Sequence, residues 1–516
     1  MPFPEADDHA ALRASEYLVL SQRNLFISLN RKWCGMSGFK KKTAVNIGFT
    51  GMAVLAVSAL HFLTTIVLGR ILLPTDYGIV GFALIFVNFM ATFSDFGIGS
   101  ALIQKADIDD DTLCTGLALR TLFGALAFIL LFSLAPVSRF FNDSREITSA
   151  IRLLSFGFLV SILGFLPQVM LTRELRFREL SFPQVLGAIA NSFCAIALAH
   201  AGFGFRSIIF GTLMNNLIVA VLFNLIRPVR FRLRFKRRGA LDILRFGSHL
   251  LVPGVIIYLI MNADNFAIGA FRNSEQLGYY AMAFNLGSLI CVLLAGIFHQ
   301  VLFPTFSKFQ HDLKTMKAAY LESVKYISFL AVPVNLFLMV LGSEFLLYVI
   351  GGGSARWLPA LAAFRVLCVY GVLRALLEPL GNVTSGIGKP RLLIKPTLLV
   401  AVLQIGLLYP ALRFGGIEGV ALVVTASYAS QYFIYLPILK REIGVTAYEV
   451  YETMRPAALA FVSSLPVVIL LKWNMGSSLF SLTLHFLTGI SLYFIIYGVL
   501  TKWQIVEDLR WFLRSS

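Results

Sequence analysis

Leu68-Gly69-Arg70-Ile71-Leu72-Leu73-Pro74-Thr75-Asp76-Tyr77-Gly78 closes one long apolar run and opens the next. Two hundred residues on, Ile268-Gly269-Ala270-Phe271-Arg272-Asn273-Ser274-Glu275-Gln276-Leu277-Gly278 does the same. Each copy has Gly at a helix end, Arg soon after, an acid in the turn and Gly opening the following helix. Six apolar runs separate the copies. Because six is even, both halves would enter a bilayer in the same direction. Such a parallel repeat has its axis along the membrane normal, and a substrate cavity between the halves is the default. The competing reading is coincidence, since helix–turn–helix links all favour Gly and polar residues.

The runs flanking these stretches are too apolar for a soluble protein. Of 516 residues, 58% are hydrophobic and only 14% charged, where a soluble domain carries about a quarter charged. About 20 apolar residues cross a ~30 Å hydrocarbon layer. Such runs lie at about 46–68, 78–98, 113–136, 149–170, 182–201, 203–226, 247–270, 280–303, 326–350, 360–380, 392–412, 417–438, 456–471 and 479–500. Lipid supplies no partner for free backbone groups, so each run is predicted helical. The ten-residue alternation of a membrane barrel is absent. The expected fold is an all-α integral membrane protein of about 14 transmembrane helices. It divides into an N-terminal tail (1–45), a six-helix lobe (46–226), a basic linker (227–246), a second six-helix lobe (247–438) and a C-terminal helix pair with tail (439–516). The two lobes are related by a pseudo-two-fold repeat.

Orientation follows from the placement of 44 Lys and Arg residues. With the N-terminus inside, 32 fall in inner segments, nine in outer loops and three (Arg120, Arg365, Arg374) within spans. Cytoplasmic loops carry this excess, so both termini are expected in the cytoplasm. The formal charge of +17 is therefore an orientation signal and not a nucleic-acid footprint. The run from Arg230 to Arg238 alternates charge with apolar residues beside the membrane and reads as a linker meeting anionic lipid headgroups. No signal peptide opens the chain. Residues 1–35 are expected to be a dispensable tail or to precede the true start, since Met36-Ser37-Gly38-Phe39-Lys40 would itself make a sensible start directly before the first span.

Five scattered cysteines (Cys34, Cys114, Cys194, Cys291, Cys368) form no C-x-x-C pair and no Cys/His cluster, so neither a metal nor a disulfide framework is expected. No G-x-x-x-x-G-K-[ST] loop exists, which disfavours an ATP-driven exporter. Outer loops are short, which counts against an enzyme such as a polysaccharide polymerase or lipid-linked glycosyltransferase. No cofactor is expected.

LGRILLPTDYGIVGFALIFVNFMATFSDFGIGSALIQK (68–105) and NADNFAIGAFRNSEQLGYYAMAFNLGSL (262–289) resemble the Wzx-type polysaccharide flippases. These form the polysaccharide-transporter branch of the multidrug/oligosaccharidyl-lipid/polysaccharide exporter superfamily. The resemblance covers about residues 36–500 and is most specific in the first hundred of them. It implies that a lipid-linked oligosaccharide on a polyprenyl-pyrophosphate carrier moves between leaflets of the bacterial cytoplasmic membrane. It further implies alternating access coupled to an ion gradient, and possible polymerase or export partners. A drug or cation antiporter of the same superfamily is the rival.

A charge inside a span is expensive unless paired or hydrated, so such residues head the candidate sites. Arg120 can hold a pyrophosphate or acidic sugar through its planar fork, or can pair with Asp95 to hold spans together. Arg365 is a second anion candidate, and Asn88 and Asn285 are candidate sugar contacts. Asp264, beside Asn262 and Asn265, can bind a coupling ion or pack helix against helix. Asp95 and His61 are further coupling candidates, with capping for the first and plain packing for the second as the alternatives. Arg374 and Glu378 lie four apart and read as an intrahelical pair. Prolines 253, 333, 396 and 466 are expected to interrupt spans, and Pro253-Gly254 is a candidate hinge.

Overall fold

The computed structural model describes residues 38–105, 108–229, 235–308 and 312–503, and every long apolar run in them is helical. Hydrocarbon cannot hydrogen-bond the backbone, so each spanning segment satisfies its own N–H and C=O groups as a helix. In chain order the helices are α1 (Gly38–Ile71), α2 (Pro74–Asp95), α3 (Asp110–Leu134), α4 (Arg145–Arg173), α5 (Phe177–His200), α6 (Phe205–Ile226) and α7 (Arg237–Phe271). They continue with α8 (Ser274–Lys308), α9 (Leu313–Val340) and α10 (Leu361–Gly386). The stretch Ile394–Ile443 breaks at Gly416, whose φ of 59° and ψ of −149° no helix contains. It is therefore two helices, α11 (394–415) and α12 (417–443). The turn is tight: a Cβ on Gly419 would strike the Ala411 carbonyl. Helices α13 (Ala447–Asn474) and α14 (Leu479–Leu500) complete fourteen long helices among the described residues.

Helices α1 and α3 to α6 pack chiefly within the first set, with α5 against α6, α1 against α5 and α4 against α6. On the other side α8 packs on α10 and α10 on α9, while α13 and α14 pair and lean on α9. The two sets meet where α2 packs against α7 and α8.

The α1–α2 and α7–α8 turns lie at the same end of the molecule, and there the 200-residue repeat becomes geometry. A Cβ on Gly78 would overlap the Ser274 carbonyl, and a Cβ on Gly278 would overlap the Pro74 carbonyl. Each contact is the other's image under the repeat. The carbonyls of Gly69 and Gly269 are used the same way. Trp357 Nε1 donates to Gly69 O at 2.8 Å, and Asn142 Nδ2 donates to Gly269 O at 3.1 Å. In both cases the donor belongs to the opposite helix set. Arg70 adds a further tie across the seam, its Nε reaching Val349 O at 3.0 Å.

Several boundaries differ from expectation. The loop expected at 304–325 is mostly helix, because α8 runs to Lys308 and α9 starts at Leu313. Asp312 caps α9, its Oδ1 accepting from Thr315 N at 3.1 Å. Thr315 Oγ1 donates to Asp312 Oδ2 at 2.6 Å, and this bond with the backbone one holds the Asp312 carboxyl below its ordinary value. Likewise the second half of the expected 227–246 linker is the start of α7. Hydropathy marks only the part of a helix in hydrocarbon, and polar turns continue beyond it. The run expected as one span at 326–350 ends at Val340, and Phe345–Ile350 forms a separate wide turn. Gly342 lies where a Cβ would be 3.2 Å from Leu361 and Phe364, so the chain is pressed onto α10 there. None of the four prolines ends its helix: Pro253, Pro333 and Pro466 sit inside α7, α9 and α13, and Pro396 lies in the first turn of α11. Residues 1–35, and positions 230–234 of the basic run, fall outside the described residues.

The wide turn is fastened by Glu344, which pairs with Lys472 of α13 at 2.8 Å. Partial burial pushes the Glu344 carboxyl up, but hydrogen bonds from Lys472 and Ser343 outweigh it and hold it below its ordinary value. A depressed carboxylate stabilises at neutral pH, and that contribution is lost as pH falls through the folded value. Glu344→Gln is expected to cost about 1 kcal/mol once solvent screening at the rim is allowed for. Thermal unfolding of the detergent-solubilised protein checks this. The gap between variant and wild type should close only on acidification below the carboxylate range.

Candidate functional site

In the first helix set, α1, α4, α5 and α6 line a half-open cavity of about 360 Å³, with the polar side chains of His61, Gln168 and Gln184 exposed along its wall. Helical spacing brings its wall together. Val57 and His61 lie one turn apart on α1, and Ser161, Gly164 and Gln168 follow one face of α4. Gln184 comes from α5, and Asn215 and Asn216 from α6. Small residues permit the approach: a Cβ on Gly164 would be 3.1 Å from Ala220 Cα, and one on Gly187 would be 2.6 Å from Asn215 Oδ1.

Ser161 links this cavity to Arg120. Arg120 stands ten residues into α3, about 15 Å along the helix. It donates from Nη2 to Ser161 Oγ and from Nη1 to Ser94 Oγ, each at 3.2 Å. Asp95 Oδ1 is 3.9 Å from Nη1, at the far limit of an ion pair, and its side chain is 56% exposed against 13% for Arg120. Phe165 lies 5.6 Å from the guanidinium carbon. Arg120 Nε is buried without an acceptor among the described residues. The expected Arg120–Asp95 pair therefore exists but neutralises the arginine weakly, leaving a buried cation beside a polar hollow.

The second helix set holds a buried carboxylate network. Asp264 of α7 is 4% exposed. Its Oδ2 accepts from Tyr280 Oη of α8 at 2.7 Å, and its Oδ1 accepts from the backbone N of Asn265 at 2.8 Å. Asn265 Nδ2 adds a donor at 3.2 Å, whereas Asn262 turns away to Tyr258 O. Nearby, Arg374 and Glu378 pair along α10 at 3.0 Å as expected, and Arg374 lies 5.6 Å from the Tyr428 ring.

The other candidates are dispersed. Asn88 and Asn285 are exposed on α2 and α8; among the described residues neither side chain makes a hydrogen bond. Arg365 is exposed in the first turns of α10 and joins neither cluster. Pro253 is exposed and Gly254 half-buried, with a Gly254 Cβ position 3.6 Å from Thr92. Among the described residues no three His, Cys, Asp or Glu side chains converge as metal ligands. Reading charges alone missed Gln168, Gln184, Asn215, Asn216 and Tyr280. The available signal was the adjacent Asn215-Asn216 pair inside an otherwise apolar span.

Comparison with known proteins places this arrangement. Residues 67–362 match the family described as "Polysaccharide biosynthesis protein". The chain belongs to that family. Among curated proteins, this family member is 25% identical over 437 residues to the "Lipopolysaccharide biosynthesis protein WzxC" of Escherichia coli (strain K12), covering 83% of this chain and 87% of that one. It is 22% identical to the "Succinoglycan biosynthesis transport protein ExoT" of Rhizobium meliloti (strain 1021), covering 73% and 75% of the two chains. Its fold is similar to that of "Lipid II flippase MurJ, inward closed conformation", with a TM-score of 0.73 at 15% identity over 88% of this chain and 98% of that one. An inward-facing multidrug resistance MATE family transporter of the MOP superfamily shares it at a TM-score of 0.61 and 17% identity, covering 76% and 98%.

Proposed function

We propose that this polysaccharide biosynthesis protein flips a lipid-linked oligosaccharide, carried on a polyprenyl pyrophosphate, across the bacterial cytoplasmic membrane by alternating access. The observation that carries the reading is the polar cavity inside a membrane-spanning bundle, joined through Ser161 to the weakly neutralised Arg120. Amides suit sugar hydroxyls, and a guanidinium fork suits phosphate oxygens. Asn88 and Asn285 support it as well. An unpaired amide in mid-span is costly against hydrocarbon, and a wet surface between the helix sets would suit both residues. The lobes are residues 46–226 and 247–438, with both termini cytoplasmic, which puts the α1–α2 turn on the outer side. The chain acts as a transporter and not as an enzyme; its partners are the lipid-linked glycan, membrane lipid and, downstream, a polymerase or export machine.

Asp264 favours ion coupling, because a buried carboxylate held by Tyr280 and Asn265 can exchange a proton or a cation. Asp264→Asn keeps the shape and removes the charge. Export is expected to fall roughly tenfold, the equivalent of about 1.4 kcal/mol, and to lose its dependence on an imposed ion gradient in proteoliposomes. Unchanged gradient dependence would return Asp264 to a packing role. The same buried acid would serve a cation antiporter, and one experiment separates the two. Cells lacking this protein should accumulate lipid-linked glycan on the inner leaflet and recover on complementation. Normal surface glycan with altered sensitivity to cationic compounds would sink the flippase reading.

A further inference from the structure

The connection between α9 and α10, residues 341–360, belongs to the second helix set, yet one of its faces grips the end of α1 in the first. Trp357 is wholly buried there, with Nε1 on Gly69 O. Its ring meets Tyr77 of α2 and Tyr279 of α8 edge-on, at centroid distances of 5.4 and 6.2 Å. Arg70 donates back to the connection, from Nε to Val349 O at 3.0 Å and from Nη2 to Tyr348 O at 3.4 Å. Arg356 Nη1 reaches Leu72 O at 3.4 Å, and a Cβ on Gly69 would strike Ile350 Cγ2 at 2.8 Å. We propose that this connection is a clasp, anchored on the C-terminal helix pair, which holds the outer end shut and releases α1 in every transport cycle. The proposal rests on the alternating-access reading.

Three observations carry it. First, the other side of the connection is tied down within its own set. Glu344 pairs with Lys472 of α13 at 2.8 Å, and Tyr348 Oη donates to Ser477 O in the α13–α14 turn at 2.6 Å. A segment tied to one set and gripping the other must slip when the sets part at this end. Second, the grip is one-sided. The repeat-related connection, residues 135–144, returns one such hydrogen bond among the described residues, from Asn142 to Gly269 O. Capping a helix end needs no more than that, so capping leaves the Arg70 and Arg356 bonds unexplained. Third, the groups gripped are spare ones. Gly69 O and Leu72 O stand at the end of α1, where the last carbonyls have no partner within the helix. On release, water at the membrane surface takes the place of Trp357 and Arg356, so the bonds are exchanged and not simply lost. A clasp built on such groups opens repeatedly without unfolding α1.

The test locks the clasp. A Cβ on Gly352 would lie 3.7 Å from Arg70 Cβ, within the reach of a disulfide. The full chain carrying Arg70→Cys and Gly352→Cys is expressed in deletion cells, and newly exported surface polysaccharide is pulse-labelled. Oxidation is expected to crosslink the pair, read by mass spectrometry of the joined peptides, and to abolish export. A reductant should restore export to the level before oxidation. Trp357→Phe provides a second measurement that needs no crosslink, since it keeps the ring between the two tyrosines and removes the Nε1 donor. It should raise the reactivity of an Asn88→Cys thiol towards an impermeant maleimide several-fold. Tyr348→Phe, which removes only the anchor to Ser477, should raise it too. Continued export through the crosslinked protein, or unchanged reactivity in both single variants, overturns the proposal. Deletion cells separate this failure from that of the flippase reading. Inner-leaflet accumulation in them, with full export by the crosslinked protein, sinks the clasp alone, whereas no accumulation sinks the function beneath it.

Discussion

Gly278→Ala is expected to abolish surface polysaccharide while the protein still accumulates in the membrane, and Gly78→Ala is expected to do the same. A Cβ at either position would overlap a backbone carbonyl of the opposite helix set, Pro74 in one case and Ser274 in the other. Backbone cannot rotate away as a side-chain tip can, so α2 and α8 must separate. Overpacking of this kind costs about 3 kcal/mol when the neighbour cannot yield. The contact joins the two helix sets and not helices within one set, so the cost is expected to fall on the state closed at this end. Applied to one of two states, that cost shifts their ratio by roughly 100-fold. Cysteine reactivity reads the shift directly. A thiol at Asn88 should react faster with a membrane-impermeant maleimide in the Gly278→Ala background. Gly81→Ala is the control, because its nearest neighbour would be Ala281 Cβ at 4.0 Å, an ordinary contact. Normal export in both glycine variants would show that this closure is not required for transport.

The same glycines mark what the sequence discloses. The offset between Gly78 and Gly278 is visible in the chain because a symmetric close approach demands the smallest residue in both copies. Span number is visible because hydrocarbon imposes length and apolarity on every crossing. Boundaries are not, since nothing in hydropathy says whether a polar stretch beyond the membrane, such as that before Arg245, stays helical. The cavity is harder still. Gln168, Gln184 and Asn216 carry no charge, and an amide in a span reads alike whether it faces a hollow or a neighbouring helix. Tyr280 meeting Asp264 depends on how α7 and α8 register across their turn, which spacing alone leaves open. Arg365 does lie within a candidate span, Ala355–Gly386, but it is exposed there and joins neither cluster.

Arg120 carries the larger chemical expectation. Its two terminal nitrogens are held by serine hydroxyls, Nε has no acceptor among the described residues, and Asp95 is too distant and too exposed to neutralise it well. A purely structural arginine in a bilayer would be expected to have a close carboxylate, since an uncompensated charge there is costly. Serines instead orient the guanidinium without cancelling its charge, leaving it free to meet an anion. Arg120→Ala should therefore reduce glycan export by roughly 10- to 100-fold, matching about 1.5–3 kcal/mol for charge-assisted hydrogen bonds. Arg120→Lys should recover only part, because a point charge cannot reproduce the fork. Asp95→Asn decides between the roles. If Arg120 serves the substrate, removing its weak counter-charge leaves export nearly intact. If the two residues act as a structural pair, Asp95→Asn should lose export as fully as Arg120→Ala, with a matching loss of thermal stability in both.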